Sequence, residues 1–280
     1  MFSIYSSAFN IEKNAFDFKT AFDNYLSFGE EVVISTINNN EDLTISILEE
    51  YSKKYKNFKY YTFNLERKDP LFWGKLRDGA LQNCTEEFCI SLDLDEYVPC
   101  WQKYNWINFA RNLSFSENDA YLVPLLNLWG NKSTIRWDTS TNYLFKWALH
   151  KNLKSPRRLK RGPVNFAKRI DGTVDITKSD TNELIYENGE LVRAQNIITD
   201  FSLNPQNYIQ ECSYKIFIYH TGYLNFQDRL SRNKNFWNEQ FKIQGGHTQD
   251  DAANKFAPLN IQDLENKNLI KHGLRFWNEK

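Results

Sequence analysis

The chain has 280 residues, of which 41% are hydrophobic and 16% aromatic, and this is enough to build a folded core. Its 35 basic and 35 acidic residues balance, so no overall charge attracts it to nucleic acid or to an anionic membrane, and we do not expect a nucleic-acid partner. A basic leader and an apolar run of about 18 residues are both missing from the sequence, which predicts a cytoplasmic protein without a transmembrane segment.

Extended and helical segments alternate over the first hundred residues. The sequence predicts strands at residues 2–9, 31–37, 59–63 and 88–92, and helices at 15–25, 43–55 and 71–82. In the helix at 43–55, Ile45, Leu48 and Tyr51 recur at three-residue steps, which is the spacing of a buried helix face. The alternation predicts an α/β fold with parallel strands joined by right-handed crossovers.

The pattern changes beyond residue 100. Extended segments are predicted at 120–128, 142–149 and 214–219, and Asn188-Gly189 predicts a hairpin turn between the runs on either side of it. The residues from 221 onward are rich in Asn, Gln and Lys and predict helices. We therefore expect a mixed second half, one domain over residues 1–230 and a helical C-terminal extension over residues 231–280.

The most informative segment is an apolar strand that ends in three carboxylates, those of Asp93, Asp95 and Glu96. Ligands of open α/β sheets bind at the carboxyl ends of strands. Asp93 and Asp95 share a face if the strand continues, and surround a common point if the chain turns. Both arrangements offer the oxygen ligands that Mg2+ and Mn2+ prefer, while a solvated acidic turn is the alternative.

Basic side chains and a histidine accompany this motif. Lys75 and Arg77 lie on the helix before the acidic strand, where they either bind a diphosphate or solvate the helix surface. His220 follows an apolar strand and is placed to reach the same crevice as Asp95, although a lone histidine is also a common structural residue. His247, in a glycine-containing loop, is the competing candidate.

Two motifs in this order resemble family 2 glycosyltransferases of the GT-A fold. Residues 72–81, FWGKLRDGAL, resemble the helix before the metal-binding strand of that family, and residues 91–96, SLDLDE, resemble its DxD motif in the form of lipopolysaccharide-core glucosyltransferase-like members. The resemblance covers about residues 1–100. It implies a Rossmann-like, mostly parallel central sheet flanked by helices, with a nucleotide-sugar half at 1–100 and an acceptor half at 101–230.

The resemblance also implies roles for single residues. In the family, the ends of the first two strands hold the nucleobase, the first DxD aspartate lies near the ribose and the second binds the metal, with a C-terminal histidine as a frequent further ligand. Mapped here, these are Ser7, Ala8, Asn38, Asp93, Asp95 and His220. The acidic pair usual after the second strand is absent, so the base of the donor stays open, and Asn38 is either a base ligand or a turn residue.

The resemblance implies inverting transfer of a sugar from a nucleotide-sugar to an acceptor hydroxyl, with a UDP-sugar as the first candidate donor. The acceptor would be a glycan, a lipid-linked compound or another hydroxyl compound in surface polysaccharide or glycoconjugate synthesis. Mn2+ or Mg2+ is the implied cofactor. Asp138, Asp200 and Glu187 are the candidate general bases. Two alternatives stay open: a DxD-type magnesium phosphatase or hydrolase, and a non-catalytic domain that binds carbohydrate or nucleic acid through the basic segment 151–169, whose charges also have acidic partners nearby.

Overall fold

The computed structural model describes residues 2–14, 16–69, 72–113, 120–136, 145–150, 168–169, 181–185, 191–197, 205–224 and 269–278. Its helices are α1 (Phe18–Phe28), α2 (Thr44–Lys54), α3 (Phe72–Gln82), α4 (Lys103–Leu113) and α5 (Pro205–Tyr214). Its strands are β1 (Phe2–Ser7), β2 (Glu31–Ile37), β3 (Phe58–Phe63), β4 (Phe88–Ser91), β5 (Glu96–Tyr97), β6 (Ala120–Trp129), β7 (Asn131–Arg136), β8 (Phe145–His150), β9 (Lys168–Arg169), β10 (Thr181–Ile185), β11 (Leu191–Asn196), β12 (Ile218–Tyr223) and β13 (Leu269–Lys271).

The first half of the chain forms a parallel sheet with helices on both faces. Its strand order is β3-β2-β1-β4, and every neighbouring pair in it is parallel. Because side chains alternate along a strand, Ile4 and Val32 pack with α1, α2 and α4 on one face, while Tyr5 and Val33 pack with α3 on the other. This confirms the predicted α/β class, with its parallel half flanked by helices.

The second half is mixed, as predicted. Strand β4 pairs antiparallel with β8, and β8 pairs antiparallel with the first half of β6. The second half of β6 pairs parallel with β12, which also pairs antiparallel with the short β5. Because β5 directly follows the acidic residues at 93–95, its pairing with β12 places those residues next to β12.

The strand predicted at residues 214–219 is wrong in its position. Helix α5 occupies residues up to Tyr214, and β12 begins only at Ile218, so His220 lies within the strand instead of following it. Proline at the first position of α5 is preorganised for a helix, and Tyr208 and Cys212 are buried at helical spacing.

The part of the predicted helical extension that the structure describes, residues 269–278, contains a strand and no helix. Residues 269–271 form β13, which pairs antiparallel with β7, and most of the remaining extension lies outside the described residues. Strands β10 and β11 are antiparallel, as expected for a hairpin, while its Asn-Gly turn lies outside the described residues. Among the helices that the structure describes, none has both the length and the apolar character that crossing a bilayer requires.

The C-terminal residues 272–278 support the strands beside the acidic segment. The Trp277 ring stacks on Tyr97 of β5, with ring centroids 4.4 Å apart. The hydroxyl of Tyr219 on β12 donates to the carbonyl of Arg275 at 2.9 Å. These contacts make the segment part of the same core as β5 and β12.

Substituting Gly79 tests the packing of α3. A Cβ atom at this position would overlap the Phe63 ring of β3. Gly79→Ala gains about 1 kcal/mol of helix propensity, yet overpacking costs about 1–3 kcal/mol. We expect a net loss of stability in urea unfolding, and a gain when the same change is made in Phe63→Ala. A stabilising Gly79→Ala in the unmodified protein would contradict this packing.

Candidate functional site

Residues 93–96 form a tight turn after β4. The Glu96 N–H donates to the Asp93 carbonyl at 2.8 Å, and the Glu96 carboxylate accepts from the Asp93 N–H at 2.7 Å. Glu96 is only 2% exposed, whereas the side chains of Asp93 and Asp95 are 35% and 22% exposed. The turn therefore uses Glu96 for its own structure and leaves the other two carboxylates accessible.

Tyr25 of α1 holds this turn through a hydrogen bond to its backbone. Its hydroxyl donates to the Asp93 carbonyl. Burial, and then the negative charge of Glu96, raise the pKa of Tyr25 well above its ordinary value. The hydroxyl consequently stays protonated and remains a donor.

The backbone of β12 brings His220 and Asp95 together. His220 pairs in register with Asn127 of β6 and with Glu96 of β5. The N–H and hydroxyl of Thr221 both donate to the Asp95 carbonyl, at 2.7 and 3.0 Å. His220 Nε2 then lies 3.3 Å from Asp95 Oδ2, and His220 Nδ1 lies 2.8 Å from Asn127 Oδ1. The predicted proximity of His220 and Asp95 is therefore present, although His220 lies inside a strand.

Arg77 of α3 lies against the partly exposed carboxylate of Asp93. It forms an ion pair with Asp93 through Nη2, and the residue is only 9% exposed. Its Nε and Nη1 are buried and have no hydrogen-bond partner within the part of the chain that the structure describes. Burying such groups is costly, and a ligand oxygen would satisfy them. Lys75, in contrast, is exposed and pairs with Asp69.

The residues near Asp95 fit a divalent cation with two protein ligands. Ligands in neighbouring octahedral positions at about 2.1 Å from a metal are about 3.0 Å apart, close to the separation of Asp95 Oδ2 and His220 Nε2. Within the described ranges, no group of three or more His, Cys, Asp or Glu side chains is arranged for a metal. Asp93, predicted as another ligand, carries the ion pair with Arg77. An imidazole ligand favours Mn2+ over Mg2+, which prefers oxygen.

The predicted nucleobase residues lie at the same edge of the sheet. Ser7 ends β1 beside Ser35, and the N–H of the fully buried Ala8 donates to the Ser35 carbonyl at 2.9 Å. Asn38 is exposed in the turn after β2. The parallel strands bring these residues to the edge that holds the acidic turn, and their contacts with a base stay predictions.

The polar residues after β2 connect two loops. Asn40 Oδ1 accepts from the Asn10 N–H at 2.9 Å, and Asn10 Oδ1 accepts from the Glu41 N–H at 2.8 Å. Asp42 accepts from two successive backbone N–H groups of the loop after β1, at 2.9 and 3.0 Å. Asn10 adopts φ = 46°, a left-handed conformation that asparagine tolerates. The backbone N–H of Glu41 and the carboxylate of Asp42 are thus engaged in structural contacts between these loops.

Several predicted residues lie outside the described residues. These are Asp138, Glu187, Asp200, His247 and all of segment 151–169 except Lys168 and Arg169, which form β9. Their predicted roles stay predictions.

Sequence reasoning missed Asn127 and Thr221. Asn127 interrupts an otherwise apolar strand. A polar side chain in a buried strand needs a hydrogen-bond partner, so the position of Asn127 indicates a buried polar contact. Thr221 carries no such signal, because its role depends on the pairing of β12 with β5.

Comparison with known proteins gives structural likenesses only. No known protein family matches the chain, and neither does any curated protein. Among solved structures, S. aureus TarS 1-349 matches at 15% identity and a TM-score of 0.42, over 94% of this chain and 76% of that one. The same protein in complex with UDP gives 15% identity and a TM-score of 0.40, over 95% and 77% of the two chains.

A mannosyltransferase, PcManGT from Pyrobaculum calidifontis in complex with GDP-Man and Mn2+, matches at 15% identity and a TM-score of 0.33. The match covers 44% of this chain and 34% of that one. At such identities and TM-scores, no residue role follows from the likeness. The roles assigned below rest on the geometry of this chain.

Removing the partly exposed carboxylates of Asp93 and Asp95 should have unequal effects on stability. Asp93→Ala leaves the buried Arg77 guanidinium without its ion-pair partner, and breaking such a pair costs up to about 3 kcal/mol. Asp95→Ala removes a partly exposed pair with His220, worth about 1 kcal/mol or less. Urea unfolding measures both. Equal losses would contradict the structural role of Asp93, and Arg77→Met should restore part of the stability of Asp93→Ala.

Asp42 should make stability depend on pH. Burial raises its pKa, but hydrogen bonds from Thr44 and from backbone N–H groups outweigh burial and lower the pKa below its ordinary value. This stabilisation is present above the unfolded-state pKa of about 4 and disappears as the pH falls through the folded-state pKa. Thermal unfolding should show Asp42→Asn less stable than the unmodified protein near neutral pH, with the difference shrinking in acid. A difference independent of pH would contradict this role.

Proposed function

We propose that this chain is a divalent-metal-dependent glycosyltransferase that moves a sugar from a nucleotide-sugar to an acceptor hydroxyl. The observation that supports this most is the approach of Asp95 Oδ2 to His220 Nε2 at 3.3 Å, at the carboxyl ends of the parallel strands. Arg77 adds two buried nitrogens without hydrogen-bond partners in the described structure. A leaving diphosphate needs both a cation and N–H donors, because it carries negative charge on several oxygens.

Each residue has a distinct part in this proposal. A bound Mn2+ or Mg2+ would act as a Lewis acid on the leaving diphosphate. Asp95 and His220 would hold the cation. Arg77, fixed by Asp93, would donate charge-assisted hydrogen bonds to the donor nucleotide. Because the turn is already ordered by its own hydrogen bonds, little reorganisation is needed when the donor binds.

The chemical step is one displacement. The acceptor oxygen bonds to the anomeric carbon while the bond from that carbon to the diphosphate breaks, and the diphosphate leaves with the electron pair. The acceptor proton passes to a carboxylate base, for which Asp138, Glu187 and Asp200 remain the candidates. One displacement inverts the anomeric centre. A UDP-sugar donor, a glycan or lipid-linked acceptor, a family 2-like hexosyl transfer and a cytoplasmic location complete the proposal.

Donor turnover with water as acceptor tests this function without knowledge of the acceptor. Sugar nucleotides of UDP, GDP, CMP and dTDP are incubated with Mn2+, and the released nucleotide is measured. We expect turnover with one nucleotide class, loss of turnover with a chelator and recovery with Mn2+. Asp95→Ala and His220→Ala each remove a proposed metal ligand, so they should lower the rate by more than the roughly 10–100-fold that loss of an outer-shell partner of a ligand costs. Asp23→Ala, an exposed carboxylate on α1, is the matched control.

Other outcomes would reject the transferase. Release of inorganic phosphate without release of the sugar would indicate a phosphatase. Binding of carbohydrate or nucleotide without turnover of any sugar nucleotide would indicate a non-catalytic domain. Turnover that is equal in Asp95→Ala would place the reaction elsewhere in the chain.

A further inference from the structure

Helix α1 bonds to both ends of the segment that carries the acidic turn. The hydroxyl of Tyr25 donates to the carbonyl of Asp93, the first residue of the turn. The side-chain amide of the preceding residue, Asn24, bonds to both backbone groups of Val98, which directly follows β5. Two consecutive residues of one helix therefore hold two points that lie 68 and 74 residues further along the chain.

The orientation of the Asn24 amide is determined by its partner. Its Nδ2 donates to the Val98 carbonyl at 2.8 Å, and its Oδ1 accepts from the Val98 N–H at 2.9 Å. A flipped amide would place donor against donor and acceptor against acceptor, because a backbone N–H only donates and a carbonyl only accepts. Asn24 is 4% exposed, so losing these bonds would leave buried polar groups unsatisfied.

Tyr25 contributes its hydroxyl from a fully buried position. Burial, and then the negative charge of Glu96, raise its pKa, so the hydroxyl keeps its proton and acts as a donor. The Asp93 carbonyl accepts both from this hydroxyl and from the Glu96 N–H. The same oxygen therefore closes the turn and joins it to the helix.

Strand β12 holds the middle of the same segment. The Asp95 carbonyl accepts from the N–H and from the hydroxyl of Thr221. The segment is thus bonded to α1 near its two ends and to β12 between them. Because its carbonyls are fixed at several points, the carboxylates that project from it have little freedom to move away from a bound ligand.

We propose that Asn24 and Tyr25 are positioning residues that set the geometry of the acidic turn for donor binding. They act through the backbone of Val98 and Asp93. The consequence for donor turnover rests on the proposed function, whereas the hold on the turn does not. In the competing arrangement, the internal hydrogen bonds of the turn and the pairing with β12 set its geometry, and the two α1 side chains contribute only to overall stability.

Amide hydrogen exchange of residues 93–98, followed by NMR, measures the hold on the turn. Tyr25→Phe removes only the hydroxyl and keeps the buried ring. We expect the Glu96 N–H, which shares the Asp93 carbonyl with that hydroxyl, to exchange about 3–10-fold faster, as the loss of one hydrogen bond predicts. In Asn24→Ala, the Val98 N–H loses its acceptor and should exchange faster by at least as much.

Tyr208→Phe is the matched control for the loss of a buried hydroxyl. Tyr208 is also fully buried, and its hydroxyl bonds to the backbone of Leu125 in β6. Its substitution should leave exchange in residues 93–98 unchanged, and urea unfolding compares the overall stability of the variants. If Tyr25→Phe does not fold, the unmodified protein decides, because the Glu96 and Val98 N–H groups should exchange as slowly as amides in the buried strands.

Donor turnover with water as acceptor gives the functional measurement, with the sugar nucleotide that the unmodified protein uses. We expect Tyr25→Phe to lower kcat/KM about tenfold, the lower end of the range for outer-shell partners, because β12 still holds the turn. Tyr208→Phe should keep the unmodified rate. A role in stability alone predicts equal rates in the two variants at a temperature where both are folded.

The possible results separate this proposal from the proposed function. Exchange in residues 93–98 that is unchanged in Tyr25→Phe, or that rises only in step with the loss of overall stability, would overturn the hold on the turn, as would rapid exchange of these amides in the unmodified protein. Faster exchange with unchanged turnover would overturn the positioning role. If the unmodified protein turns over no sugar nucleotide, the proposed function fails, while exchange still decides whether α1 holds the turn.

Discussion

The pairing of β12 with both β5 and β6 is the constraint on which the site depends. Strand β5 has only two residues, Glu96 and Tyr97, yet it joins the acidic turn to a strand more than a hundred residues later. Thr221 completes this connection with two hydrogen bonds to the Asp95 carbonyl. Backbone pairing therefore fixes the distance between Asp95 and His220, and the C-terminal residues stabilise the same strands through Tyr97 and Tyr219.

Three carboxylates within four residues would repel one another if they shared one environment. The structure gives each its own partner. Glu96 accepts from the backbone of the turn, Asp93 is paired with Arg77, and Asp95 faces His220. The first of these bonds builds the turn and the second compensates a buried guanidinium. The third joins two groups that are both typical metal ligands, which is why the functional proposal centres on Asp95.

The parallel half could be predicted because its signals are local. The β2 strand at 31–37 and the crossover helices follow from apolar periodicity, and the position of the acidic residues follows from the end of β4. The start of β12 was predicted too early, because the aromatic and apolar residues at 214–218 suit both a helix end and a strand. The contact of His220 with Asn127 and the bond between Asn10 and Asn40 depend on register between distant segments, which periodicity does not encode.

We propose that Asp95 and His220 hold a divalent cation at the carboxyl edge of the parallel sheet. The most direct measurement is anomalous diffraction from a crystal of the full chain grown with Mn2+ and UDP. We expect a manganese peak within bonding distance of Asp95 Oδ2 and His220 Nε2, with remaining ligand positions filled by diphosphate oxygens. A peak bound only by other residues, or UDP bound with no peak between these two side chains, would contradict it.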